Sequence, residues 1–117
     1  ERSPALHACL EAGGHVDVPC HSTLSDATAG GVETGAVTVP LCVEVIDRSL
    51  LVEEAAIEEG MRYLIGVHHT LVEGAAGVVV AGWRQVAREF AGRRVALVIC
   101  GANISIDTLG QLLVPTS

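Results

Sequence analysis

The chain has 117 residues, half of them hydrophobic and only 3% aromatic, with a formal charge of -7. Such a length suits one domain, and a core of Ala, Val, Leu and Ile fits parallel strands covered by helices better than an aromatic-rich sandwich. An acidic balance without a basic stripe excludes a nucleic-acid surface, and no apolar run is long enough to span a bilayer as a helix.

Taken in chain order, Ser3-Pro4 opens a helix whose apolar face is Ala5, Leu6, Cys9 and Leu10, and Gly13-Gly14 closes it. His15 to Ser25 reads as loop, and Ala27 to Gly35 as irregular chain with a helical turn starting near Ser25. Val37 to Asp47 has helical spacing, with Pro40 tolerated in the first turn. Leu50-Leu51-Val52 is then expected as a short strand. Glu53-Glu54 opens the next helix, which runs to Gly66, and these two glutamates read as part of a solvated face. A break at His68-His69-Thr70 precedes a second long helix from about Glu73 to Phe90, apolar all round in its first half. Arg94 to Ile99 is a β-branched run expected as the best strand of the chain, and Ile104 to Leu113 as a final helix. The order helix, helix, strand, helix, helix, strand, helix argues an α/β fold in one domain, residues 1–117.

Cys9, Cys20, Cys42 and Cys100 have no C-x-x-C spacing, and no signal-peptide pattern opens the chain. Reduced thiols in a cytoplasmic protein are the simplest expectation. The start without methionine, close to a helix signal, suggests a piece cut from something longer, and processing could produce the same start. All seven basic residues are arginine, so the chain contains no lysine.

Cys100 closes the second expected strand and runs into Gly101, at the kind of strand end where α/β proteins bind ligands. A thiol there can face a ring nitrogen, although a buried cysteine acting as a small hydrophobe is the commoner fate. Glu73 at a helix mouth is explained equally by the helix dipole, and Gly74 and Gly77 by close approach to a flat ligand or by helix packing. His15, Cys20 and His21, with the pair His68-His69, invite a zinc site, yet adjacent ligands rarely reach one ion, and solvated loop histidines are the better account. Glu58-Glu59 is a solvated helix face.

Three segments carry a family resemblance: Cys100-Gly101-Ala102-Asn103, Leu71-Val72-Glu73-Gly74-Ala75-Ala76-Gly77 and Thr23-Leu24-Ser25-Asp26-Ala27. They resemble the Ser-Gly-Gly-Asn turn, the L-x-E-G/P-x-x-G stretch and the T-[IL]-[AS]-D-G segment of the serine/threonine dehydratases, fold-type II pyridoxal-phosphate enzymes. The resemblance implies a partial three-layer αβα domain, the C-terminal part of a catalytic domain, with few parallel strands and flanking helices. It further implies that Cys100, Gly101, Glu73 and Ala27 lie against pyridoxal phosphate, with Cys100 meeting the pyridine nitrogen as in the animal liver type of serine dehydratase. Ala27 replaces a glycine; if the backbone needs positive φ there, alanine costs about 1 kcal/mol.

Glu1 to His7 is similar to the family's E-P-x-x-A-x-[DS] cation site. Glu1 and the carbonyl of Ala5 are compatible with a divalent cation, but His7 replaces the oxygen ligand that a hard cation prefers, which argues against a metal. The family's Schiff-base lysine, the asparagine against the phenolic oxygen and the glycine-rich phosphate loop have no counterpart in this sequence. The resemblance therefore implies a segment of an ammonia-lyase for L-serine or L-threonine, with no catalytic residue of its own and no activity alone. Its partners would be the amino acid substrate in the complete enzyme, and either a missing N-terminal half or a second copy docked on exposed apolar surface. The alternative is a stand-alone remnant of the fold that acts by association, and beyond that a generic α/β binding module.

Overall fold

The computed structural model describes residues 1–114. Five α-helices carry the fold: α1 (Ala5–Ala12), α2 (Thr38–Val45), α3 (Glu54–His68), α4 (Gly74–Val86) and α5 (Ile106–Leu113). Single 3-10 turns occupy Asp26–Thr28 and Ala87–Phe90, the second extending α4. Helix α1 ends as its glycines predict, with Gly13 in the left-handed region and its N–H bonded to the Leu10 carbonyl. Helix α3 runs two residues past Gly66 and closes on His69, whose φ of 53° lets the next N–H, that of Thr70, donate to the Leu64 carbonyl at 3.2 Å. That histidine is a helix cap, while His68 stacks edge-on against Tyr63 at 5.2 Å.

The core lies between α3 and α4. Ile57, Met61 and Leu64 from α3 meet Ala76, Val80 and Ala81 from α4, with Val52, Val72 and Leu112 closing the ends. Full burial of each larger side chain contributes about 1.5–3 kcal/mol, so this contact is the main stabiliser of the fold. The two helices approach closely because both carry glycine where they cross. A Cβ on Gly60 would stand 2.6 Å from the Gly77 carbonyl oxygen, and one on Gly77 would stand 2.6 Å from that of Ile57. Of the two explanations open for Gly77, helix packing is the one the contacts give. Outside the contact, Arg84 pairs with Glu59 at 3.4 Å and lies over the Tyr63 ring.

The two expected strands are corrected. Among the described residues no strand is formed, and both segments run as chain without a ladder. A strand is a property of two neighbouring segments, since its N–H and C=O groups need partners in an adjacent chain. Around Leu50–Val52 the carbonyls are taken otherwise: Leu51 accepts from the Gln85 side chain at 3.0 Å and Val52 from the Glu1 ammonium at 2.9 Å. Residues 94–99 lie exposed, Val98 to 71%, although their composition suits a buried strand. The parallel strands of the expected αβα sandwich are therefore absent among the described residues, while its helices are present.

The helix crossing makes a sharp prediction. Gly77→Ala should cost about 1–3 kcal/mol through overpacking, whereas Gly66→Ala, in open space on α3, should gain up to about 1 kcal/mol in helix propensity. Urea titration of both variants checks the opposite signs.

Candidate functional site

The first turn of α4 and the turn after Cys100 are built as one unit. Glu73 is extended just before the helix, and its side chain caps no N–H of α4. Instead the carboxylate reaches across and accepts the backbone N–H of Asn103 at 2.8 Å. The Glu73 backbone N–H donates to the Gly101 carbonyl at 3.2 Å, so both ends of the residue hold the same turn. Gly101 has a φ of +90°, and a Cβ there would overlap the Glu73 carboxylate. Only glycine satisfies both demands. Cys100, immediately before it, is an exposed free thiol. Ser105 then caps α5 by accepting the Thr108 N–H at 3.0 Å.

A second loop faces the same helix mouth. Leu24 is pressed onto the start of α4 so closely that a Cβ on Gly74 would overlap its carbonyl. The close approach that Gly74 allows is therefore to protein backbone. From the other side Glu54, the first residue of α3, accepts the Leu24 N–H at 2.8 Å and the Thr23 hydroxyl. Ser25, only 3% exposed, shares a hydroxyl–hydroxyl bond with Thr28 at 2.6 Å. Asp26 accepts the Ala27 N–H at 2.8 Å and begins the 3-10 turn that contains Ala27. Ala27 does not have positive φ, so the expected strain of alanine in place of glycine does not arise.

Both loops line a cavity of about 450 Å³, with Thr23, Leu24, Asp26, Glu54, Glu73 and Asn103 among its lining residues. That volume lies within the range of small-molecule sites. Of the residues expected from the sequence, Glu73 lines the cavity and is bonded to the turn that holds Gly101, while Cys100, next to that turn, is exposed and is not among the lining residues. Ala27 turns away and lines a second cavity of about 400 Å³ with Glu1, His7 and Ser49. There His7 Nδ1 bonds the Ser49 hydroxyl at 3.0 Å, and the Glu1 ammonium is bound to Val52. Ala5 is buried in α1. Among the described residues no three His, Cys, Asp or Glu side chains converge as a metal group. His15 faces the Val32 carbonyl at 2.9 Å and Cys20 that of Gly30 at 3.3 Å, so the zinc candidates bond to separate backbone acceptors.

Glu54 is the site residue that sequence reasoning misplaced. Beside Glu53 its charge explains a helix start completely, and nothing local reveals a partner thirty residues earlier.

Residues 1–101 match the family described as pyridoxal-phosphate dependent enzyme. An L-threonine ammonia-lyase of Geobacter sulfurreducens is 34% identical over 95% of this chain and 27% of its own length. A biosynthetic L-threonine dehydratase of Salmonella typhimurium is 31% identical over 93% of the chain and 21% of its own. An L-threo-3-hydroxyaspartate ammonia-lyase of a Pseudomonas species is 29% identical over 85% of the chain and 30% of its own. The chain thus spans about a third or less of the length of these curated relatives. With a family match across almost the whole of its length, the chain belongs to the pyridoxal-phosphate dependent enzymes.

Proposed function

We propose that this chain forms the pyridine-nitrogen side of the cofactor site in an ammonia-lyase acting on a β-hydroxy amino acid, L-serine or L-threonine. One observation carries the proposal: an exposed thiol at Cys100 leads into a turn whose shape Glu73 and Gly101 determine together. The relatives' names support the substrate class, since threonine and 3-hydroxyaspartate each carry a β-hydroxyl.

The residues present suit the nitrogen end of a flat heteroaromatic ligand. Gly101 adds no side chain beside the thiol, and the Glu73 carboxylate is engaged with Asn103. When bound, pyridoxal phosphate supplies an electron-accepting ring conjugated to the substrate's α-carbon. Cys100 presents a thiol, a weak donor, and so leaves the ring nitrogen largely unprotonated. Cys100 would thereby make the bound ring a weaker electron acceptor, which would suit loss of a β-substituent better than amino transfer. Glu73 positions Cys100 through the turn. The chain holds no lysine, so both the anchoring amine and the α-proton base must come from other polypeptide. The exposed run of residues 94–99 supports the alternative of an association module, which needs no ligand at Cys100.

Alkylation separates the two readings. Brief treatment of the folded chain should label Cys100 first and Cys9, which is fully buried, last, by mass spectrometry. Pyridoxamine 5′-phosphate, which needs no amine anchor, should slow labelling of Cys100 by about threefold or more at a concentration above its dissociation constant. Inorganic phosphate should not. Labelling that pyridoxamine phosphate leaves unchanged overturns the cofactor reading and favours association.

Covalent capture tests the division of labour. Pyridoxal phosphate followed by borohydride should leave no adduct on any side chain. A reduced side-chain adduct would contradict the need for a second source of the amine.

A further inference from the structure

We infer that Glu54 is a positioning residue for the candidate site: it holds the Thr23–Asp26 wall at the working distance from the Glu73–Asn103 wall. The inference rests on the cofactor reading above and adds the device that sets the width of the site.

The two walls are pinned in the same way. On one side a glutamate at the start of α4 accepts a loop N–H, that of Asn103, at 2.8 Å. On the other a glutamate at the start of α3 accepts a loop N–H, that of Leu24, also at 2.8 Å. Both helices are fixed to one another by the Gly60–Gly77 crossing. The distance between the walls is thereby referred to the buried crossing of α3 and α4. Leu24 has no slack in this arrangement, because its N–H is held by Glu54 and its carbonyl rests on Gly74. The Thr23 hydroxyl, bound to the second Glu54 oxygen, also accepts the Ser25 N–H at 3.2 Å, which carries the restraint on into the turn before Asp26. Glu54 is partly buried and lines the cavity, yet its two oxygens are occupied by loop donors. It therefore acts on a ligand through the loop.

Glu54→Ala removes both acceptors. Glu54→Gln keeps a carbonyl for the Leu24 N–H, and its amide can donate to the Thr23 oxygen, so the geometry survives loss of the charge. The experiment uses the full chain and two readouts: amide hydrogen exchange at Leu24, and the affinity for pyridoxamine 5′-phosphate followed by its fluorescence. Glu54→Ala should speed Leu24 exchange by about tenfold or more while the amides of Met61 and Val80 keep their protection. It should weaken pyridoxamine phosphate binding by about fivefold, and Glu54→Gln should recover both to within about threefold of the parent chain. Should Glu54→Ala fail to fold, Thr23→Val, which removes one donor and keeps the volume, decides by the same readouts with smaller shifts in the same direction. Unchanged Leu24 exchange, or faster exchange with unaltered affinity, overturns the inference and leaves the cofactor reading standing. Absence of binding by the parent chain overturns both, because the wall then has no ligand to be positioned for.

Discussion

Glu73 joins two parts of the chain that have no covalent reason to meet. Its backbone N–H and its carboxylate both end on the segment from Gly101 to Asn103, and its own helix starts one residue later. Val72 and Ala76 on either side of it in sequence are buried, while Glu73 itself lines the cavity. A charge-assisted bond to a backbone N–H is among the stronger single contacts available to a loop. Gly101, at a φ of +90°, leaves room for that carboxylate, and Cys100 before it is exposed together with the run that precedes it. The candidate site is a consequence of how α4 begins.

The same logic explains why glycine recurs around the helix mouth. Gly74 admits the Leu24 backbone, Gly77 admits α3, and Gly101 admits the Glu73 side chain. Each is a contact in which protein replaces the side chain that is missing. Ligand-binding folds commonly need small residues where backbone must come close, and here the backbone comes close to other backbone. A flat cofactor would then meet surfaces already fixed by the protein's own packing, so little ordering cost falls on the binding step.

Outside this unit the fold is less self-sufficient. Residues 95–99 are apolar, exposed and without a ladder among the described residues, while α3 and α4 bury a shared core. The contrast agrees with membership of a family whose catalytic domains layer helices on a parallel sheet. The helices bring their own hydrogen bonds, and a strand must find them elsewhere.

That difference also marks the boundary between what the residues alone determined and what required three dimensions. Helix positions were legible because their signals are local: Pro4 and Gly13 around α1, Glu53-Glu54 before α3, and the apolar run from Gly74. Cys100, Gly101 and Glu73 could be singled out because thiol, glycine and carboxylate stand in recognisable short patterns. No local pattern told a strand from an exposed extended segment, since Arg94 to Ile99 reads the same with or without a neighbour. Nor did the sequence separate Glu54 from Glu53: both favour a helix start, and only the return of Leu24 to the mouth of α4 gives one of them a second task. Ala27 likewise carries the family pattern, yet the path of the 3-10 turn sends it into the other cavity. Local propensity and spacing set which segments coil. The tertiary contacts alone decided which carboxylate holds which loop, because those bonds cross about thirty residues of intervening chain.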